Sequence, residues 1–153
     1  MLVVKNVIVL RSATAEDEKF VDDLLFKTMR DYVEATWPGN PAAHRHYYAV
    51  NTFDPLNTRI LQVDGKDIGR LSVTLRADCV FIDELHILPE YQRRGIGKQA
   101  IGQVFIEAQE KSLPVEATVL KVNRPSLNLF LSMGFEVVAE KDHRLHLRYL
   151  WAR

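Results

Sequence analysis

The chain is 153 residues long and holds a single cysteine, Cys79. No disulfide can close within it, so the fold must rest on its apolar core, and a reducing compartment is the natural setting. It has no apolar run approaching the roughly 20 residues that cross a bilayer. It has no excess charge of either sign: Lys+Arg and Asp+Glu number 20 each. A global field that would recruit nucleic acid or a membrane surface is thereby excluded. Met1-Leu-Val-Val-Lys5 lacks the charged-then-apolar layout of a secretory leader. Internal repeats, linkers and low-complexity segments are absent too. The whole chain is 47% apolar and 26% charged, the composition of one globular domain over 1–153, expected in the cytoplasm.

What is there is organised around residues 79–108. Val80, Phe81, Ile82, Leu85 and Ile87 give a strand that Pro89 ends. A polar, basic loop, Glu90-Tyr91-Gln92-Arg93-Arg94, leads to Gly95-Ile96-Gly97. A helical pattern follows with Ile96, Ala100, Ile101, Val104, Phe105 and Ala108 on one face. A strand feeding a glycine loop at a helix N-terminus is a physical anion site, because the first-turn N–H groups are free and the dipole favours negative charge. Gly95 and Gly97 bring no Cβ to block a phosphate, and Arg93, Arg94 and Lys98 add positive charge. The stretch reads as a pyrophosphate cradle. Gly95-x-Gly97-x-x-Ala100 also fits the dinucleotide fingerprint, but that fingerprint needs an acid about 20 positions on. The next apolar run closes on Lys121, and the elements before the loop read as antiparallel hairpins.

Upstream, Val7-Ile-Val-Leu10 reads as a first strand, and Thr14-Ala-Glu-Asp17 as a capping box before a helix to about Glu34. Trp37-Pro-Gly-Asn-Pro41 breaks the chain ahead of a second helix over 42–51. The period then changes to two. Strands over 58–63 and 68–75 flank the turn Asp64-Gly65-Lys-Asp. After the organising helix come a strand over 115–120, a helix over 125–133 ending at Gly134, and a hairpin over 135–139 and 143–151. In the last run Leu145, Leu147, Tyr149 and Trp151 alternate with Arg144, His146 and Arg148. The order is that of an α+β fold with a mainly antiparallel sheet.

Gln92-x-x-Gly95-x-Gly97 after Leu-Pro-Glu resembles the acyl-CoA motif of the GNAT superfamily of N-acyltransferases, Gln/Arg-x-x-Gly-x-Gly/Ala. Downstream, Asn123-Arg-Pro-Ser126-Leu-Asn-Leu-Phe130-Leu-Ser-Met-Gly134-Phe135 is similar to that family's Asn-x-x-Ala-x-x-Leu-Tyr-x-x-x-Gly-Phe segment. The resemblance covers 60–149 well and the first 50 residues loosely. It implies a central antiparallel sheet with helices on both faces. It also implies a splayed strand pair that admits the pantetheine arm of acetyl-CoA, the co-substrate. On the same ground Leu85, His86 and Ile87 are expected to meet pantetheine and thioester. Residues Gln92, Arg93, Arg94, Gly95, Ile96, Gly97 and Lys98 should hold the pyrophosphate, and Asn123 and Ser126 should lie along the arm.

Amine acetylation needs a neutral amine, a polarised carbonyl and a proton for the departing thiolate. Asp83 and Glu84 are the candidate catalytic carboxylates. Adjacent strand residues face opposite sides, so only one reaches the reacting centre unless a bulge intervenes; a structural role, such as pairing with Arg93 or Arg94, is the alternative. Phe130 departs from the family tyrosine, whose hydroxyl can protonate the CoA sulfur. Three accounts stand: another donor serves, protonation does not limit the rate, or the chain binds acyl-CoA without turnover. His86 is either a substitute donor or a packed strand histidine. Arg30, Tyr32, Trp37 and Tyr47 are expected to wall the acceptor pocket, with a plain core role for the aromatics as the alternative. His44 and His46 lie two apart on a helix, not four, so no metal is expected. The expected activity is acetyl transfer from acetyl-CoA to a small-molecule primary amine in a ternary complex, by a monomer or homodimer. The alternatives are a non-catalytic acyl-CoA-binding module and protein N-terminal or lysine acetylation.

Overall fold

The computed structural model describes residues 6–151; residues 1–5, which carry the leader expectation, lie outside the described residues. The elements run β1 Val9–Ser12, α1 Glu18–Thr36, α2 Pro41–Val50, β2 Thr58–Val63, β3 Lys66–Leu75, β4 Val80–Ile87, α3 Ile96–Glu110, β5 Val115–Leu120, α4 Arg124–Ser132, β6 Glu136–Lys141 and β7 Arg144–Tyr149. Seven strands form one sheet in the order β1-β2-β3-β4-β5-β7-β6. Only β4 and β5 pair in parallel, because α3 returns the chain between them.

Helices cover both faces, as the residue patterns dictate. On one face Ile96, Ala100, Ile101, Val104 and Ala108 of α3 join Leu127 and Phe130 of α4. They pack against alternate strand residues such as Leu71, Val80, Ile82, Ala117 and Leu147. On the other face Leu25, Met29 and Val33 of α1 pack with Tyr47 of α2 and Leu120. Cys79 is buried in the core.

The first strand begins two residues later than its apolar run suggests. Pairing with β2 sets it in register from Val9↔Gln62 to Ser12↔Arg59. Arg11 then bonds both Asp17, at 2.7 Å, and Asp67, at 3.0 Å. Of the expected capping box, the Asp17 carboxylate accepts the Thr14 N–H at 2.9 Å as well as the Arg11 guanidinium. Strand β3 starts at Lys66, leaving a two-residue Asp64-Gly65 loop with φ of 51° and 76°. Such left-handed pairs turn a hairpin with the twist its strands need.

The end of α4 fixes Phe130. Phe135 N–H donates to Phe130 C=O and Gly134 N–H to Leu131 C=O, both at 3.1 Å, with Gly134 at φ 95°. This is a Schellman cap, and its usual apolar contact is here the Phe130 ring edge-on to Phe135 at 5.0 Å.

Candidate active site

Two irregularities of β4 build the site. Strand β4 pairs with β5 only from Val80 to Ile82 and continues to Ile87 with no strand on that edge. Its partner β3 steps from Ser72↔Glu84 to Val73↔Ile82, so Asp83 is an extra residue in the ladder, a β-bulge. Val80 and Ile82 face the α3/α4 core, and Phe81 and Asp83 the other side. Simple alternation would then send Glu84 into the core. The bulge resets the phase, so Leu85 and Ile87 face the core. Glu84 and His86 stand opposite Ser72 and Arg70, on the same face as Asp83. Both carboxylates line one cavity of about 90 Å³, with Tyr47, Asn51, Phe130 and Arg144.

Their surroundings separate the two acids. Asp83 accepts the Thr74 hydroxyl at 2.6 Å. Glu84 has Arg70 Nη2 3.6 Å from Oε1 and His86 Nε2 3.2 Å from Oε2. Arg70 is 1% exposed, and its Nε and Nη2 have no hydrogen-bond partner among the described residues. At 3.6 Å the guanidinium attracts the carboxylate without bonding it. Burial pushes Glu84 up to about 7; Arg70 pulls it back and Asp83 adds to the rise. Burial, reinforced by Arg70, pushes His86 down to about 3, so the imidazole is neutral. Burial, with Glu84 nearby, also raises the Tyr47 phenol, which keeps its proton. A carboxylate titrating near neutrality is matched to taking a proton from an ammonium.

A second, larger groove of about 530 Å³ runs from the free edge of β4 to the N-terminus of α3. Leu85, His86, Asn123 and Ser126 line both cavities, so the two meet at the splay. At the far end Arg93 and Gly95 hold φ of 62° and 79° on either side of Arg94. The first residues of α3, Ile96, Gly97 and Lys98, line the groove with Arg93 and Gly95, and the first-turn N–H groups of a helix have no partner within it.

Several expected residues take places that change their reason. Gly97 is buried, and a Cβ there would stand 2.7 Å from Leu129 Cδ2, so this glycine lets α4 approach α3 as well as lining the groove. Ile96 sends its side chain into the core. The Gln92 amide donates to Ile87 C=O at 2.9 Å, tying the loop to the strand end. Arg94 lies over the Tyr91 ring at 5.1 Å, off the groove lining. Asn123 caps α4, its Oδ1 accepting Ser126 N–H at 3.2 Å, and it lines both cavities. Helix α4 accordingly starts at Arg124, one residue ahead of Pro125. Phe130 lines the small cavity at 3% exposure.

The expected acceptor wall divides. Tyr47 joins the carboxylates, while Tyr32 lines the larger groove. Trp37 packs against Tyr47 at 6.0 Å and His143 at 5.4 Å, behind the cavity. Arg30 is not brought to the site. It lines a separate groove between α1 and α2 with Phe26 and Tyr48, because α1 turns Leu25, Met29 and Val33 inward and leaves position 30 outside. Reasoning from the sequence missed Arg70 and Arg144. A signal for Arg70 existed, since an arginine inside the apolar run Ile68-Gly-Arg-Leu needs a buried partner.

The sheet thus opens at its one parallel pair, with the glycine loop and helix N-terminus of α3 at one end of the opening and the buried Glu84 at the other. The sequence matches the family described as Acetyltransferase (GNAT) family over residues 24–135, and the chain belongs to that family. The fold is similar to that of the PaiA N-acetyltransferase from Thermoplasma acidophilum in complex with coenzyme A. That likeness has a TM-score of 0.77 and 15% identity over 95% of this chain and 99% of that one. An acetyltransferase from Thermus thermophilus gives 0.67 and 20% over 93% and 95%. N-acetylglutamate synthase from Neisseria gonorrhoeae, complexed with coenzyme A and N-acetyl-glutamate, gives 0.68 and 16% over 96% of this chain and 36% of that one. No curated protein matches the chain in sequence. Among the described residues no helix is long and apolar enough to cross a membrane.

Proposed function

We propose that the chain is an acetyl-CoA-dependent N-acetyltransferase that passes acetyl directly to the primary amine of a small molecule, with Glu84 as base. The observation that carries this reading is the β4 bulge. It sets a carboxylate titrating near 7 beside the point where the two cavities meet. Acetyl-CoA supplies an activated acetyl group; the chain supplies placement and proton handling. Gly95, Ile96, Gly97 and Lys98 offer N–H groups to the pyrophosphate, with Arg93 and the Lys98 ammonium beside them. Backbone groups of Leu85, His86 and Ile87 on the unpaired β4 edge, and the Asn123 amide beside Ser126, receive the pantetheine arm.

Asp83 and Glu84 draw the ammonium into the small cavity. Glu84 takes one proton, and the nitrogen lone pair forms the C–N bond to the thioester carbonyl carbon. The C–S bond then breaks: the nitrogen gives up a second proton, the thiolate leaves as the thiol with one, and the proton held by Glu84 is the one released. Phe130 cannot provide the thiol proton. Tyr47 lines the same cavity, and we assign its phenol as the donor; burial makes it a weaker acid, so it gives up its proton only as the second nitrogen proton replaces it. Mixing the protein with labelled acetyl-CoA and amine should give N-acetyl amine with no acetyl on the protein at any time, read by intact-protein mass. An acetylated protein that forms before the product would contradict direct transfer.

Phe130→Tyr tests the proton source. A placed general acid contributes about 10²–10⁴-fold where it is needed. With Tyr47 already serving, the added hydroxyl enters a packed contact with Phe135 and turnover should change by less than about tenfold, in either direction. A gain of a hundredfold in kcat would mean that the natural chain lacks a donor and holds acyl-CoA more than it consumes it.

A further inference from the structure

Among the described residues Arg144 is the one lysine or arginine that lines the small cavity. It opens β7, pairing with Leu120 at the end of β5 and with Lys141 on β6, a register that brings it to the cavity of Asp83, Glu84 and Tyr47. Its guanidinium lies over the Trp37 ring at 6.0 Å, and Trp37 is itself held between Tyr47 and His143. Among the described residues its side chain forms no ion pair and no hydrogen bond. Of the neighbouring acids, Glu140 pairs with Lys121, and Glu84 lies 3.6 Å from Arg70.

Arg70, buried beneath, offsets most of the Glu84 charge and Arg144 adds a weaker pull; among the described residues neither Asp83 nor Arg144 has an ion-pair partner. For an acceptor that is only a cation, Arg144 would repel what Asp83 and Glu84 attract. The arrangement suits a molecule that carries both signs. A guanidinium presents a planar fork that fits carboxylate or phosphate oxygens two at a time, and an aromatic face beneath it limits its rotation.

We propose that the acceptor carries an anionic group, a carboxylate or a phosphate, a few bonds from its amine, and that Arg144 receives this group. The proposal rests on the transferase reading and narrows its substrate class. The test compares acceptors that have and lack the anionic group. β-Alanine is set against β-alaninamide, and phosphoethanolamine against ethanolamine, so the two arms also tell which anion is preferred. In the wild-type protein the anionic member of at least one pair should have the higher kcat/KM by about tenfold to a hundredfold, the worth of one hydrogen-bonded charge. Arg144→Gln should bring that ratio close to one, and Arg144→Lys, which keeps charge but loses the fork, should leave it between. Equal use of both members of both pairs by the wild type would overturn the proposal, as would a preference that survives Arg144→Gln. Those outcomes leave the transferase reading standing. Failure to acetylate any amine by a protein that binds CoA would overturn the transferase reading and this proposal with it.

Discussion

Glu84→Gln should lower kcat by about 10²–10⁴-fold at neutral pH, the usual contribution of a placed base, while affinity for CoA stays nearly constant. The direction of the pH dependence follows from burial. Glu84 titrates near 7 instead of the ordinary 4.5, so kcat/KM of the wild type should rise as pH passes through about 7 and the carboxylate ionises. The Gln variant has no such limb, and its deficit should shrink at higher pH, where more of the amine is neutral without help. Arg70→Met removes the charge that pulls Glu84 back toward its ordinary value, so its rising limb should move to higher pH. Stability follows the same linkage. A carboxyl whose folded value lies above its unfolded one contributes most below about 4.5, and that contribution is lost as pH climbs through about 7. A rate–pH profile of Glu84→Gln that overlays the wild type would remove Glu84 from the role of base. Asp83→Asn, which disturbs the Thr74 bond and the local charge, should cost less.

Gly95→Glu should weaken CoA by about a hundredfold or more, read by calorimetry, the loss of two charge-assisted hydrogen bonds. Gly95 sits at φ 79°, where a side chain is strained, and a Cβ there meets nothing within 4 Å. The damage should therefore fall on the ligand, since a carboxylate would stand beside the first-turn N–H groups of α3. Gly95→Asn, which tolerates the left-handed region, should lose much less. Dephospho-CoA keeps the pyrophosphate and should suffer nearly as much as CoA. Unchanged affinity in a folded Gly95→Glu protein would place the pyrophosphate elsewhere.

The helices and most strands were legible in the sequence because their cause is local. The α3 face from Ile96 to Ala108 and the alternation of Leu145, Leu147 and Tyr149 are periodic signals that burial then uses. Gly134 was legible as a helix stop, though not that its cap would lock Phe130 against Phe135. What stayed hidden depends on register between distant strands. Nothing in Ile82-Asp-Glu-Leu announces that β4 carries one residue more than β3 opposite it. Without that bulge Asp83 and Glu84 face opposite ways. Arg70 becomes the partner of Glu84 only through that register, and Gly97 owes its small size to Leu129 on another helix. Arg30 was misplaced for a related reason: helical spacing shows that α1 has an inner face, but tertiary packing decides which side of that face looks on the cavity.

The most direct test of the account is free-thiol release from acetyl-CoA by the wild-type protein across a panel of small amines, with CoA binding measured on the same sample. The account predicts thiol release that requires an amine, matches N-acetyl product mole for mole and is lost in Glu84→Gln while CoA remains bound. Tight CoA binding with no amine-dependent release on any acceptor would contradict it and leave a protein that only holds acyl-CoA.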